Sequence, residues 1–358
     1  MINELTMKIM NTKKIVIATM IVLPFISKAQ DIHFSQFNET PVVLNPALSC
    51  TAYDTRVIAN YKNQWASVSS PYQTYGLSLE KTLKHLKLKK SYVGTSFTIY
   101  NDKAGDLGLG TLAINLGANI VVKTGKNSKF SGGIGGGISF RTINTSKMRW
   151  ESQYDGYNYN ATTASGEATT VASFLQGDFV GGVVYHYAKS ERYISAQDGT
   201  KFDIGLSAFH FSSPNLSFMS GNDRQYAKFV AHANFDIGIK NAHAALVPSL
   251  IYMRQGPSQE IDAGFMFKYI IQDQSVYTGI KKPCALSLGA YYRVGDAIIP
   301  SLLFQYDKFA LGFSYDLNIS QLTAASRTKG GMEISLRFNT SPGYGRSLGG
   351  SFNRPTYK

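Results

Sequence analysis

The stretch FALGFSYDLNI, residues 309–319, alternates without a break between large apolar residues and small or polar ones. Successive side chains of a β-strand point to opposite faces, so one face of this strand is apolar and the other is polar. Residues 329–339 repeat the pattern. A soluble sandwich would turn the apolar face toward its core, whereas a membrane barrel would turn it toward lipid. In a barrel, Leu311 and Phe313 would face lipid, and an arginine at Ser314 would be tolerated better than one at Phe313 if the lumen has space.

The lengths of the other strand-like stretches favour the barrel. Most of the fourteen stretches are about ten residues or longer, which a tilted membrane strand needs, whereas strands of soluble proteins average about five or six residues. The count is even, as closed bacterial barrels require. We therefore predict an all-β, transmembrane antiparallel barrel of about 14 strands, preceded by a short N-terminal periplasmic or plug segment. The predicted strands are 55–62, 72–81, 92–101, 109–122, 129–143, 174–187, 201–211, 226–240, 243–254, 258–270, 284–294, 297–306, 308–319 and 329–339.

The composition agrees with a surface that meets lipid. Only 16% of the residues are charged, against about 25% in ordinary globular chains. The chain also holds 22 Tyr and 21 Phe but only 2 Trp. Few charges and many aromatic residues suit a barrel wall better than a soluble domain.

The N-terminus has the pattern of a secretory signal peptide. Lys13 and Lys14 precede the apolar run 15–26, and Ala29 is a small residue at a suitable cleavage point. This predicts export, cleavage near Ala29 and location in the cell outer membrane. The predicted domains are a signal peptide at 1–29, an N-terminal lead-in or plug segment at 30–54, the barrel at 55–339 and a basic C-terminal tail at 340–358.

The chain is strongly basic, with a net charge of +13. Without the predicted leader it keeps 32 basic and 22 acidic residues, so the excess does not come from the leader alone. Exported proteins rarely meet nucleic acid, and no nucleic-acid partner is predicted. Anionic outer-membrane lipid, cell wall or acidic protein partners fit the charge better.

No catalytic, metal-binding or cofactor-binding motif stands out, so neither an enzyme nor a cofactor is predicted. The sequence contains no HExxH, and its six histidines are scattered over separate elements. A phospholipase would need a Ser-His pair, and a histidine such as His210, among apolar residues of its predicted strand, is more often structural. Cys50 and Cys284 are interpreted as isolated thiols rather than a disulfide.

The glycine run at 132–137 lies inside a predicted strand and lacks the Lys-Ser/Thr pair and helix of a phosphate-binding loop. It predicts instead a bend in the wall or the close approach of an internal segment. Polar residues at inward positions of other strands predict a network that holds the lumen rigid, in preference to an ion pathway. These residues are Asp203, Asp236, Asp262, Glu333 and Arg337.

The stretch DIHFSQFNETPVVLNPALSC, residues 31–50, is apolar in part but does not alternate. A free segment of this kind would expose apolar surface, so we expect it to pack against the periplasmic mouth or inside the lumen; the alternative is a simple linker. Asn45 before Pro46 suits a helix start. The candidate residues for the plug and the partner surface are Phe34, Gln36, Phe37, Leu44, Asn45 and Pro46.

Two regions together resemble the PorP/SprF family of outer-membrane proteins of the type IX secretion and gliding machinery. They are QDIHFSQF at 30–37 with LNPA at 44–47, and the C-terminal stretches 289–320 and 330–338. The resemblance implies a barrel without enzymatic activity. It also implies one of two roles: anchoring secreted adhesins through their C-terminal domains, or coupling to periplasmic components of the secretion apparatus.

Two other functions remain open from the residues. Fatty-acid-transport barrels are similar in strand number and carry Asn-Pro-Ala in an N-terminal plug, but they need a longer helical hatch than residues 31–50 offer. A transport channel for hydrophobic small molecules would conduct ions or take up ligand. A soluble secreted β-protein would be extracted without detergent.

Overall fold

The computed structural model describes residues 31–340 except 69, 84–90, 168–171, 190–198, 219–220, 222, 274–279 and 322. The predicted signal peptide therefore lies outside the described residues. So does the predicted tail, apart from Thr340, which belongs to the last strand. The architecture below concerns the unit that begins at His33.

Fourteen antiparallel strands close into a barrel, in which each strand pairs with its sequence neighbours and the last pairs with the first. The predicted all-β barrel is confirmed, and the observed strand bounds lie within three residues of the predicted ones. The strands are β1 (Thr55–Gln64), β2 (Tyr72–Leu83), β3 (Ser91–Ala104), β4 (Leu109–Lys123), β5 (Ser128–Thr142), β6 (Ser173–Lys189), β7 (Thr200–Phe209), β8 (Lys228–Gly238), β9 (Ala244–Gln255), β10 (Ser258–Gln272), β11 (Cys284–Arg293), β12 (Ala297–Tyr306), β13 (Phe309–Asn318) and β14 (Lys329–Thr340).

Strands β1 and β14 close the barrel along a continuous ladder from Thr55↔Thr340 to Gln64↔Gly331. A closed barrel leaves no free sheet edge, which is what a spanning sheet requires in lipid. We call the end with Thr55 and Thr340 the terminal end, and the opposite end the distal end. The longest connections, 143–172 and 210–227, join strands at the distal end.

The alternation along the strands separates an apolar outer face from a lumen. On β13 the side chains of Leu311 and Phe313 are exposed, whereas Ser314 and Asp316 point inward and are buried. The predicted phase of this strand is therefore confirmed. Ser314 has 0% exposure, so the lumen does not have the space that would make an arginine there mild.

We expect Phe313→Arg to destabilise the barrel by about 2–4 kcal/mol, because it places a guanidinium against lipid near the middle of a strand. Equilibrium unfolding from lipid vesicles by urea measures the change. Phe313→Leu, which keeps an apolar side chain at the same position, is the matched control. Equal stability of the two variants would mean that this face does not contact lipid.

Short helical turns complete the described fold. The α-helical turns are α1 (Pro41–Leu44) and α2 (Thr323–Ser326), and 3-10 turns occur at Phe37–Glu39, Pro46–Leu48, Thr145–Lys147 and Glu151–Gln153. Within the part of the chain that the structure describes, none of the helices has the length and apolarity needed to cross a bilayer.

Candidate functional site

The N-terminal segment, defined as residues 33–54, runs through the lumen from end to end. At its start, Lys62 Nζ donates to the His33 carbonyl oxygen at 3.0 Å, and Lys62 lies two residues before the distal end of β1. Near its other end, Lys129 Nζ donates to the Thr51 carbonyl oxygen at 2.9 Å, and Lys129 is the second residue of β5 at the terminal end. The segment therefore crosses the barrel before the chain enters β1.

The structure places all six candidate plug residues inside the barrel, and all six are buried. They lie between His33 at the distal end and Thr51 at the terminal end, so the segment does not stop at the mouth of the barrel. The six are Phe34, Gln36, Phe37, Leu44, Asn45 and Pro46.

Asn45 and Pro46 begin a 3-10 turn, as the sequence predicts. Asn45 Oδ1 accepts a hydrogen bond from the Ala47 N–H at 2.9 Å, and Pro46 occupies the first position of the turn, where its missing N–H is not needed. The local sequence therefore sets this turn, although the turn is a short 3-10 piece and not a longer helix.

The Asn45 carboxamide also ties the segment to three strands. Its Nδ2 lies 3.2 Å from the Val183 carbonyl oxygen, 3.1 Å from that of Leu206 and 3.2 Å from His232 Nε2. Asn45 is fully buried, and a buried amide without partners would be costly. These contacts fix its position against β6, β7 and β8.

Apolar contacts hold the middle of the segment. Phe37 meets Tyr291 edge to face, with ring centroids 5.1 Å apart. Leu44 joins the same cluster, and Arg337 Nη1 lies 2.6 Å from Glu39 Oε1 beside it. The other buried members of the cluster are Val230, Ile251, Met253, Met266, Ala297 and Ile299.

Gly133 explains part of the glycine run in β5. A Cβ at this position would lie 2.7 Å from the Ala47 main-chain nitrogen and 2.8 Å from the Ala47 Cα, closer than side chains approach a backbone. The wall therefore needs glycine here, where the main chain of the segment lies against it, which is the predicted approach of an internal segment. The adjacent Gly132 has no atom within 4 Å of such a Cβ.

We expect Gly133→Ala to displace the segment from the wall at a cost of about 1–3 kcal/mol, because the added methyl group meets main-chain atoms that cannot rotate away. Protease sensitivity of the segment in the folded barrel measures the displacement. Gly132→Ala changes the neighbouring residue in the same way and should leave the sensitivity unaltered. An identical response of both variants would show that the close approach does not hold the segment.

The five inward polar residues predicted from the sequence do face the lumen, and each has a partner there. Asp236 binds Lys268 at 3.0 Å, and Glu333 Oε2 accepts the Ser35 N–H at 2.7 Å. The remaining contacts join Asp203 to His186, Asp262 to Arg293 and Arg337 to Glu39. These contacts form the predicted polar network.

Arg293 is the centre of the distal part of this network. Its guanidinium lies 3.3 Å from Glu260, 3.3 Å from Asp262 and 3.1 Å from Asp316, and Arg293 Nη2 donates to Ser35 Oγ at 3.2 Å. The sequence pattern puts Arg293 on the polar face of its strand but names no partner for it. The signal available in the sequence was an arginine at an inward position of an alternating strand.

Sequence reasoning also missed the ion pair that holds the end of the segment. Arg56 and Glu80, on β1 and β2, lie 2.6 Å apart, and Glu80 Oε2 accepts the Cys50 N–H at 2.9 Å. Both residues are inward on their strands, so their phase could have been read from the alternation. The contact of Glu80 with Cys50 could not.

A cavity of about 250 Å³ remains between the segment and the wall toward the terminal end. Part of its lining is apolar, from Leu44, Val247 and Met266. Lys201 and Asp236 add charge to the same lining. The cavity is thus amphipathic, and residues of both the segment and the wall line it.

His210 and the two cysteines are the reactive side chains that the sequence singles out. His210 does not lie on its strand as predicted: it follows β7, has a positive φ of 63°, and its Nδ1 lies 2.6 Å from Asp178 Oδ2. Cys50 and Cys284 are both free thiols. In the described ranges, no three His, Cys, Asp or Glu side chains are arranged to hold a metal ion.

The long distal connection between β5 and β6 contains an ordered hairpin, residues 154–159. Tyr154 and Tyr159 form a β-bridge, and the Asp155 carboxylate accepts the N–H groups of Tyr157 and Asn158 at 2.8 and 2.6 Å. These backbone hydrogen bonds lower the pKa of Asp155. They present Tyr157, whose side chain is 88% exposed, at the tip of the hairpin.

Comparison with protein families finds one that spans nearly the whole chain. Residues 26–338 match a family described as type IX secretion system membrane protein PorP/SprF. A comparison with curated proteins found no match.

Several solved outer-membrane barrels are similar at low identity. BamA from Haemophilus ducreyi is 10% identical, with 80% of this chain and 70% of that chain covered and a TM-score of 0.41. A Pseudomonas aeruginosa FadL homologue is 10% identical, with 82% and 92% covered and a TM-score of 0.42. CdiB from Acinetobacter baumannii is 7% identical, with 80% and 60% covered and a TM-score of 0.40.

Proposed function

Because the chain belongs to the PorP/SprF family of type IX secretion system membrane proteins, we propose that it is a non-enzymatic outer-membrane barrel that retains a secreted protein at the cell surface. The proposed partner is the C-terminal domain of a secreted adhesin. Outer-membrane lipid surrounds the barrel, and no cofactor takes part.

The observation that carries this proposal is the occupied lumen. Hydrogen bonds join the N-terminal segment to twelve of the fourteen strands, so the interior is braced by the chain itself. A braced lumen suits a rigid platform for a partner better than an open pathway for solutes.

The distal end offers the surface for that partner. In bacterial outer-membrane barrels the longer connections face outward, which supports placing the distal end at the cell surface. The hairpin 154–159 presents Tyr157 there on a preorganised turn. Exposed tyrosines on ordered turns are typical anchors of protein interfaces, because they bury a large area at low entropic cost.

Retention is tested by capture. The purified barrel should bind the C-terminal domain of a type-IX-secreted adhesin, in detergent or in vesicles, and Tyr157→Ala should weaken binding by about tenfold or more if the tyrosine is an interface anchor. Tyr306→Ala, an exposed tyrosine at the terminal end of β12, is the matched control. Equal binding by both variants would remove the hairpin from the interface, and no binding by the unaltered barrel would contradict retention.

Location is tested separately. The mature protein should fractionate with the outer membrane, need detergent for extraction and migrate differently in a gel before and after heating. Recovery in a soluble fraction after mild washing would contradict the proposal.

Two alternatives make different predictions. Coupling the secretion apparatus to periplasmic components would give co-purification with those components and not with a secreted protein. Transport of hydrophobic small molecules is favoured by the amphipathic cavity of about 250 Å³, and it would give saturable ligand uptake by barrels in vesicles.

A further inference from the structure

The distal half of the lumen wall contacts the main chain of the N-terminal segment. The Glu333 carboxylate accepts the N–H groups of Ser35 and Gln36, at 2.7 and 3.2 Å. Lys62 Nζ donates to the His33 carbonyl oxygen at 3.0 Å. The Glu333 carboxylate and the Lys62 ammonium group thus form the kind of main-chain hydrogen bonds that a neighbouring strand would form in a sheet.

The terminal half of the wall does the same. Asn119 Nδ2 donates to the carbonyl oxygens of Ala47 and Ser49, at 3.1 and 2.7 Å. The Glu80 carboxylate accepts the Cys50 N–H at 2.9 Å. Main-chain groups are common to every peptide, so these contacts recognise a polypeptide main chain rather than one particular side chain.

Three side chains of the segment set its register. Ser35 Oγ donates to Asp316 at 2.8 Å, and Gln36 Nε2 donates to the Glu333 carbonyl oxygen at 2.9 Å. Asn45 is held by β6, β7 and β8 as described above. The lumen therefore recognises Ser-Gln at one end and Asn-Pro after eight further residues.

The wall groups that make these contacts are buried. Glu80, Glu333 and Asn119 have almost no exposed surface, and without the segment their main-chain partners would be lost inside the barrel. In a lumen emptied of the segment, water would hydrate these groups, and a polypeptide that supplies the same donors and acceptors would replace that water with matched hydrogen bonds.

We propose that the lumen is a polypeptide-binding site, which the chain fills with its own N-terminal segment and which accepts the same sequence as a separate peptide. The ligand is a peptide that carries Ser-Gln, eight residues and Asn-Pro, and that forms the same short helical turns when bound. The covalent link to β1 raises the local concentration of the segment but is not what creates the site. The inference does not depend on which protein the barrel retains.

The test uses a barrel that starts at residue 52 after its signal peptide, and a synthetic peptide of residues 31–51. The peptide should block the conductance of this barrel in planar bilayers in a saturable manner. An Asn45→Asp peptide, which cannot donate from that side chain, should bind about tenfold more weakly or worse. A scrambled peptide of the same composition should not block. Absence of block by the unaltered peptide, in a barrel that shows heat-modifiable migration, would overturn the proposal.

A second experiment covers the case in which the shortened barrel does not fold. A protease site is inserted between Ala52 and Tyr53 of the full chain, and the purified, folded barrel is cut there. The freed segment should stay with the barrel through gel filtration, and Glu333→Gln should increase its release several-fold. Complete release from the unaltered barrel after cutting would show that the tether alone holds the segment.

Discussion

A barrel from which residues 33–46 have been deleted is expected to insert into the membrane and conduct ions, whereas the intact barrel is expected to stay closed. Barrels of about eight strands are filled by their own side chains, and those of sixteen to eighteen leave an aqueous channel. With fourteen strands, the wall alone leaves a lumen, and the segment occupies it. Single-channel recording in planar bilayers measures the difference.

The deleted barrel is also expected to lose capture of the secreted protein, because the first residues of the segment lie at the distal end, where the partner is proposed to bind. Removal of residues 153–164 from the distal connection is the control for chain shortening in the conductance measurement only, because it also removes the hairpin that is proposed to bind the partner. Ser152 and Ser165 are hydrogen-bonded to each other, so the cut ends already lie together. The control barrel should remain closed. A deleted barrel that stays closed and still captures the secreted protein would show that the segment is only a linker.

Arg293→Met is expected to destabilise the folded barrel by about 3–5 kcal/mol, the usual cost of removing one partner from a buried ionic cluster. Arg293 is 3% exposed and lies between Glu260, Asp262 and Asp316. The methionine fills a similar space but leaves three carboxylates without their shared cation. The temperature of the heat-modified gel shift, together with urea unfolding from vesicles, measures the loss.

Arg254→Met is the matched control for this substitution. Arg254 is an exposed residue near the distal end of β9, so the same chemical change should cost little there. Comparable losses in the two variants would mean that the distal cluster adds nothing to the stability of the barrel.

The strands of the barrel wall could be predicted from the sequence because the alternation that identifies each strand lies within its own residues. The alternation of Phe313 and Ser314 states which residue faces lipid, and each strand carries the same two-residue period. The turn at Asn45 and Pro46 is local in the same sense. Prediction went wrong at His210, where a positive φ ends β7 although the surrounding residues are apolar.

The path of the N-terminal segment could not be predicted in the same way. Ser35 meets Glu333 across 298 residues of sequence, and no period in the segment says which strand it will face. The inward phase of Glu80, Arg293 and Glu333 was readable from alternation. Their partners could not be predicted, because those contacts depend on which strands and segments the closed barrel brings together across the lumen.

The path of the N-terminal segment through the lumen has a consequence for biogenesis. The segment is the earliest part of the barrel to leave the ribosome, yet Glu333 and Ser335, which hold Ser35 and Gln36, lie on the last strand to be made. The pairing of β14 with β1 both completes the wall and encloses the segment. The contacts that hold Ser35 and Gln36 can therefore form only after the C-terminal strand has been made.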